Sequence, residues 1–194
     1  MGTLSPSSIM IPRKLSQLDE DKLVAHLTSL QGEDRRLRFG AMVSDNFIEH
    51  YIHSSFDDES KWFGCEVGDK IIAACHAAVK NGDAELGCSV DKEYRGHGLA
   101  QQMFDRAVTW LRTQGITEVF MHCLTENQVM RHIARKNDMT VVSEHGDTDA
   151  TVEVKPATAA TVMKDAYLDR IAVYDMLIKT NYNAFDFYWR RNRT

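Results

Sequence analysis

The chain has 194 residues, of which 43% are apolar and 26% charged, the balance of an ordinary globular protein rather than a disordered or fibrous one. That length predicts one domain with a substantial appendage. Setting 23 Lys and Arg against 28 Asp and Glu leaves a net charge of −5, which argues against a protein that tracks nucleic-acid phosphates and better suits a cationic small molecule or a lysine-bearing protein as partner.

No apolar run approaches the roughly 20 residues that cross a bilayer, Ile71 to Cys75 being typical of the longest. Neither nucleic acid nor membrane is therefore expected as a partner. Met1 to Pro6 resembles a myristoylation signal only superficially, because Pro6 stands where that signal carries Ser or Thr. With no secretory pattern either, a cytoplasmic location is expected. Cys65, Cys75, Cys88 and Cys123 lie singly inside apolar runs and read as reduced core thiols.

In chain order, residues 8–14 predict a short strand. Ser16 with Asp19 opens a helix whose apolar positions are Leu23, Val24, Leu27 and Leu30, and Gly32 ends it. A second helix starts near Asp45 and gathers Phe47, Ile48, Tyr51 and Ile52 on one face. The first fifty residues thus read as strand, helix, helix. Gly68-Asp69 and Asn81-Gly82-Asp83 then divide residues 61–90 into three strands of an antiparallel meander. A helix follows over Gly98 to Arg112, a strand over Thr117 to Cys123, and a helix over Glu126 to Lys136. A hairpin closes around Gly146-Asp147.

The tail beyond Ala157 holds seven of the 17 aromatic residues. Leu168, Ile171, Tyr174, Leu177 and Ile178 recur at helical spacing, predicting one long helix with a possible break near Thr180-Asn181. Such a stripe needs burial, and a homodimer with the tail in its interface is expected. The predicted division is a domain over 8–156 and a helical extension over 157–194.

The chemistry concentrates in residues 84–100, where a strand and short turn lead into Arg95-Gly96-His97-Gly98-Leu99-Ala100 and then directly into a helix. Amides at a helix start bind anions, and glycines let a pyrophosphate approach the backbone. The third glycine of a dinucleotide fingerprint and the Gly-Lys-Ser/Thr of a nucleoside triphosphate loop are both missing.

This stretch resembles the phosphate loop of the GNAT superfamily of acyl-CoA-dependent N-acetyltransferases, Arg/Gln-x-x-Gly-x-Gly/Ala. The resemblance extends to Glu126-Asn127 and Met130 and, in element order, over residues 8 to about 156. A weaker similarity links the chain to bacterial protein lysine acetyltransferases. The resemblance implies an α/β fold with a mixed, mostly antiparallel sheet, splayed between its fourth and fifth strands and flanked by helices. It implies acetyl-CoA as cosubstrate and transfer to a primary amine, of a small molecule or a protein lysine, by direct attack in a ternary complex. In that picture the amides of Arg95, Gly96, His97, Gly98, Leu99 and Ala100 hold the CoA pyrophosphate. The backbone of Cys88, Ser89 and Val90 pairs with the pantetheine arm, and Asn127 lies beside it.

An amine near pKa 10.4 must lose a proton before it attacks. Glu85 resembles the strand glutamate that serves some lysine acetyltransferases as base, and alternation places Glu85, Gly87 and Ser89 on one face. The tyrosine acid expected seven residues after the helix asparagine is replaced by Ala134, and His132 is expected to face away. A catalytically weak acetyl-CoA-binding regulatory module is the alternative. The eight histidines show no metal-ligand spacing, so no metal is expected. Residues 34–59, with Glu49, His50, His53, Asp57, Asp58 and Glu59, are expected to wall the acceptor side.

Overall fold

The computed structural model describes residues 10–144 and 146–191, with the side chains of Met176 and of residues 178–191 outside the description. Its elements are β1 (Arg13–Lys14), α1 (Glu20–Ser29), α2 (Glu33–Phe39), α3 (Asp45–Ser54), β2 (Lys61–Val67), β3 (Lys70–Lys80) and β4 (Asp83–Val90). After these come α4 (Leu99–Thr113), β5 (Glu118–Leu124), α5 (Gln128–Lys136), β6 (Thr140–Glu144), β7 (Asp147–Glu153) and α6 (Ala159–Arg191).

The strands form one seven-stranded sheet in the order β1-β2-β3-β4-β5-β7-β6. Every neighbouring pair is antiparallel except β4 and β5. Those two run parallel and pair only at Ala84 with Val119 and Glu85 with Phe120. Beyond Glu85, β4 stays paired with β3 as far as Val90 but has lost β5. This is the splay expected between the fourth and fifth strands.

Each sheet face has its own core. Cys75, Ala77, Leu86, Val119 and Met121 join Met103, Phe104, Ala107 and Leu111 of α4 and Met130, Ile133 and Ala134 of α5. On the opposite face Trp62 and Ala74 pack against Leu23 and Leu27 of α1 and Ile48 and Ile52 of α3. The period-2 alternation along β4, with Ala84 and Leu86 inward and Glu85 exposed, assigns its two faces to these two environments.

Three sequence expectations change. The strand predicted over 8–14 reduces, among the described residues, to Arg13–Lys14, because Pro12 just before it has no N–H to donate to a ladder. Helix α1 stops at Ser29 rather than Gly32, with Leu30 extended. Arg35 reaches back to its end, donating to Leu30 O at 2.8 Å and Thr28 O at 2.5 Å. A further helix, α2, then stands between the two that were expected. Five of its seven residues are charged, so it carries no apolar period to betray it.

The tail is one helix that continues through Thr180-Asn181 without a break. Its inner face is polar: Arg106 of α4 donates to both Asp165 and Asp169. Lys14 adds ion pairs to the same two carboxylates at 3.0 and 2.7 Å. Met163, Tyr167, Tyr174 and Leu177 remain exposed on the other side. The expected aromatic positions from Tyr182 to Trp189 fall outside the described side chains.

Candidate active site

A groove of about 470 Å³ opens where β4 parts from β5. Cys88, Ser89 and Val90 supply its strand wall, Arg95, Gly96, Gly98, Leu99 and Ala100 its loop wall, and Asn127, Val129 and His132 part of the α5 wall. Gly96 and Gly98 have φ of 81° and 75°, a left-handed backbone that disfavours other residues. Gly98 is the N-cap of α4, so the next amides emerge without intrahelical partners at the positive end of a 15-residue helix. The loop is thus an anion cradle made of main chain.

Of the residues expected around a cofactor, Cys88, Ser89, Val90, Arg95, Gly96, Gly98, Leu99, Ala100 and Asn127 line this groove. His97 is exposed and is not among the lining residues, its Nδ1 lying 3.2 Å from Tyr94 O. Asn127 caps α5 by accepting from Met130 N at 3.2 Å, and its amide donates to Leu37 O at 3.3 Å. Ala134 is buried in the core, whereas His132 lines the groove, contrary to the expectation that it faces away. The reason is the roll of α5: Met130, Ile133 and Ala134 seat the helix on the sheet, which brings Val129, His132 and Lys136 round to the groove edge.

Helix α2 crosses the splay and touches both sides of it. Asp34 pairs with Arg95 at 2.9 Å, and Arg36 pairs with Glu126 beyond β5. Asp34, Leu37 and Arg38 line the groove. Of Glu49, His50, His53, Asp57, Asp58 and Glu59, none lines it: Asp57 holds the turn at Glu59 and Ser60, and His53 binds Glu20 at 3.0 Å.

Glu85 is exposed at the last β4 position still paired with β5, on the face that carries Gly87 and Ser89. His122 stands two residues along β5 from Glu85's partner Phe120 and binds Asp149 Oδ1 through Nδ1 at 2.7 Å. That hydrogen bond raises the His122 pKa above its ordinary value, with Asp149, Asp147 and Glu85 adding Coulombic support.

Other groups were not legible in sequence because their partners are remote. His26 of α1 is buried with Nε2 2.9 Å from Ser89 Oγ, and its Nδ1 is 3.0 Å from Asp91 Oδ1 but misaligned for a hydrogen bond. His76 is stacked on Trp62 at 4.3 Å and bound to Tyr51 Oη at 2.8 Å. Burial, with Arg38 nearby, pushes its pKa down to about 3. Cys75 and Cys88 face each other across β3 and β4 with sulfurs 2.9 Å apart, and no disulfide joins any of the four cysteines. The hydrogen bond from Cys88 and burial raise the Cys75 thiol well above its usual range. Among the described residues no cluster of His, Cys, Asp and Glu is arranged to hold a metal, and no helix is long and apolar enough to cross a membrane.

A parallel pair that opens beside a glycine-built helix start defines an acyl-CoA transferase fold. The family described as the acetyltransferase (GNAT) family matches residues 22–139, and the chain belongs to it. Solved structures share the fold at low identity. The GNAT domain of S. lividans PAT superposes with a TM-score of 0.64 at 18% identity, over 74% of this chain and 89% of that one. The ribosomal-protein-alanine N-acetyltransferase of Brucella melitensis gives 0.62 at 11%, over 75% and 100%. A paia N-acetyltransferase from Thermoplasma acidophilum, solved in complex with coenzyme A, gives 0.58 at 17%, over 76% and 100%. No curated protein matches the chain.

Proposed function

We propose that the chain transfers an acetyl group from acetyl-CoA to a primary amine by direct attack in a ternary complex. The observation that carries this is the splay, where a main-chain anion cradle and an exposed carboxylate, Glu85, flank the same opening. The pyrophosphate would rest on the amides of residues 95–100, the pantetheine along the backbone of Cys88–Val90, and Asn127 beside the arm. Glu85, directly or through water, accepts the proton of the ammonium. The free amine nitrogen then attacks the thioester carbon, a C–N bond forms, the C–S bond breaks, CoA leaves as thiolate, and the extra proton on the acylated nitrogen passes to that thiolate through water.

The leaving group needs little help. A thiol of pKa about 8.5 departs tolerably, and a positioned acid is worth about 10² to 10⁴ in rate. His132 lines the groove wall, whereas Ala134 is buried in the core, so His132 would meet the thiolate or its water. In a thiol-release assay over a broad amine panel, Glu85→Gln is expected to keep acetyl-CoA affinity, lower turnover at least tenfold and flatten the acidic limb of the pH profile. Equal turnover by variant and wild type would clear Glu85. Acetyl-CoA binding without turnover of any amine would favour the regulatory module.

Residues 8–156 would form the transferase domain and 157–194 an extension whose exposed stripe, Met163, Tyr167, Tyr174 and Leu177, meets a second copy. Sedimentation of the full chain at high micromolar concentration is expected to show a dimer, and a monomer would refute it. Cutting at Ala157 also removes both carboxylate partners of buried Arg106, so the shortened domain should be less stable.

A further inference from the structure

Three arginines lie on α2, and two have carboxylate partners: Arg35 pairs with Asp45 at 2.7 Å, and Arg36 with Glu33 and Glu126. Arg38 has none among the described residues. Its Nε and Nη2 are buried without a hydrogen-bond partner, and the residue lines the groove. The guanidinium lies 5.0 Å from the Phe39 ring centroid and 6.0 Å from that of Tyr51. Aromatic faces hold a cation in place without neutralising it.

The strand beneath is shaped for this group. Gly87 does not have a positive φ, so its backbone makes no demand for glycine. A Cβ there would stand 2.7 Å from Arg38 Nη1 and 2.9 Å from Cζ. The missing side chain is therefore the space in which the guanidinium rests. A half-buried cation with unused donors is costly unless a ligand balances its charge, and a carboxylate pairs strongly with a guanidinium.

Gly87 is two residues from Glu85 on the same face, just past the last β4–β5 pair. Two strand residues span roughly 7 Å. A carboxylate at Glu85 and a guanidinium over Gly87 thus share one strand face beside the opening.

We propose that Arg38 receives a carboxylate carried by the acceptor, so that the acceptor class is amino acids whose amine turns toward Glu85. This rests on the transferase reading above. A dicarboxylic acyl group on CoA would bring the same chemistry to Arg38 from the donor side.

The test is calorimetry of the CoA-saturated full chain with a panel of amino acids and the matching amino-acid amides, followed by thiol release with acetyl-CoA and with succinyl-CoA. Free acids are expected to bind at least tenfold more tightly than their amides. Arg38→Gln should bring that ratio close to one while leaving CoA affinity within twofold. Gly87→Ala, which displaces the guanidinium without removing it, should act in the same direction. Equal binding of acids and amides, or a loss of CoA affinity in Arg38→Gln equal to the loss for acids, overturns the proposal. A preference for succinyl-CoA that Arg38→Gln abolishes overturns the acceptor as the carboxylate's source. Acids that bind through Arg38 but release no thiol with either donor overturn the transferase reading and leave the carboxylate site standing.

Discussion

From Arg95 to Ala100 the groove wall is main chain, while at Arg38 it is side chain, seated over Gly87 of a strand far away in sequence. The first wall needs only a turn whose glycines accept positive φ and a helix that starts at once. The second needs α2 to cross the sheet opening, Gly87 to clear a space, and Phe39 and Tyr51 to flank a cation. A ligand common to a whole family suits local backbone geometry, whereas a ligand particular to one chain suits long-range side-chain placement.

The strongest way to break the contrast is at Gly98. Gly98→Glu forces a side chain into left-handed backbone and sets a negative charge in the anion cradle. CoA affinity measured by calorimetry should fall at least about 100-fold, while unfolding stays cooperative. Unchanged affinity in a folded variant would remove the loop from the cofactor site.

Acid acts on the other wall. His76 is held neutral under Tyr51 and beside Trp62, with its pKa pushed down to about 3. The unfolded chain binds a proton near pH 6.5 that the folded chain refuses, so stability is full above 6.5 and declines as pH falls toward 3. The loss should reach a few kcal/mol, and His76→Gln should flatten it in urea titrations run at each pH. His122 works in the opposite sense. Its raised pKa adds stability below the unfolded value that is lost as pH rises through the folded one, which sharpens the assignment if His122→Gln steepens the acid decline.

The smallest effect belongs to the contact that joins the walls. Asp34 and Arg95 are both partly exposed, so Asp34→Asn should weaken CoA binding by only about 0.5 kcal/mol, roughly twofold. A tenfold loss would mean that α2 helps to build the cofactor wall.

The same division explains what the sequence disclosed. The meander and the loop from Arg95 to Ala100 rest on turn residues and alternation confined to a few positions and were legible, whereas the splay was expected from the family resemblance and its start after Glu85 comes from the structure. Helix α2 was not, since Glu33-Asp-Arg-Arg-Leu-Arg-Phe39 shows charge without an apolar period. Arg38 carried no signal because its setting is made by Gly87 on a strand 49 positions away. His132 was placed wrongly by counting from Asn127, since the count ignores how Met130, Ile133 and Ala134 fix the roll of α5. His26 could not be read at all: its partners Ser89 and Asp91 arrive with β4.

A wall of amides also hides from mutational scanning. Alanine keeps the N–H it replaces, so an alanine scan over residues 95–100 would register Gly96 and Gly98, where φ is 81° and 75°, through backbone strain and Leu99 through its lost core packing, and the amides themselves would go unreported. Chains only 11–18% identical nonetheless share this fold, and identity at that level says little about what each accepts.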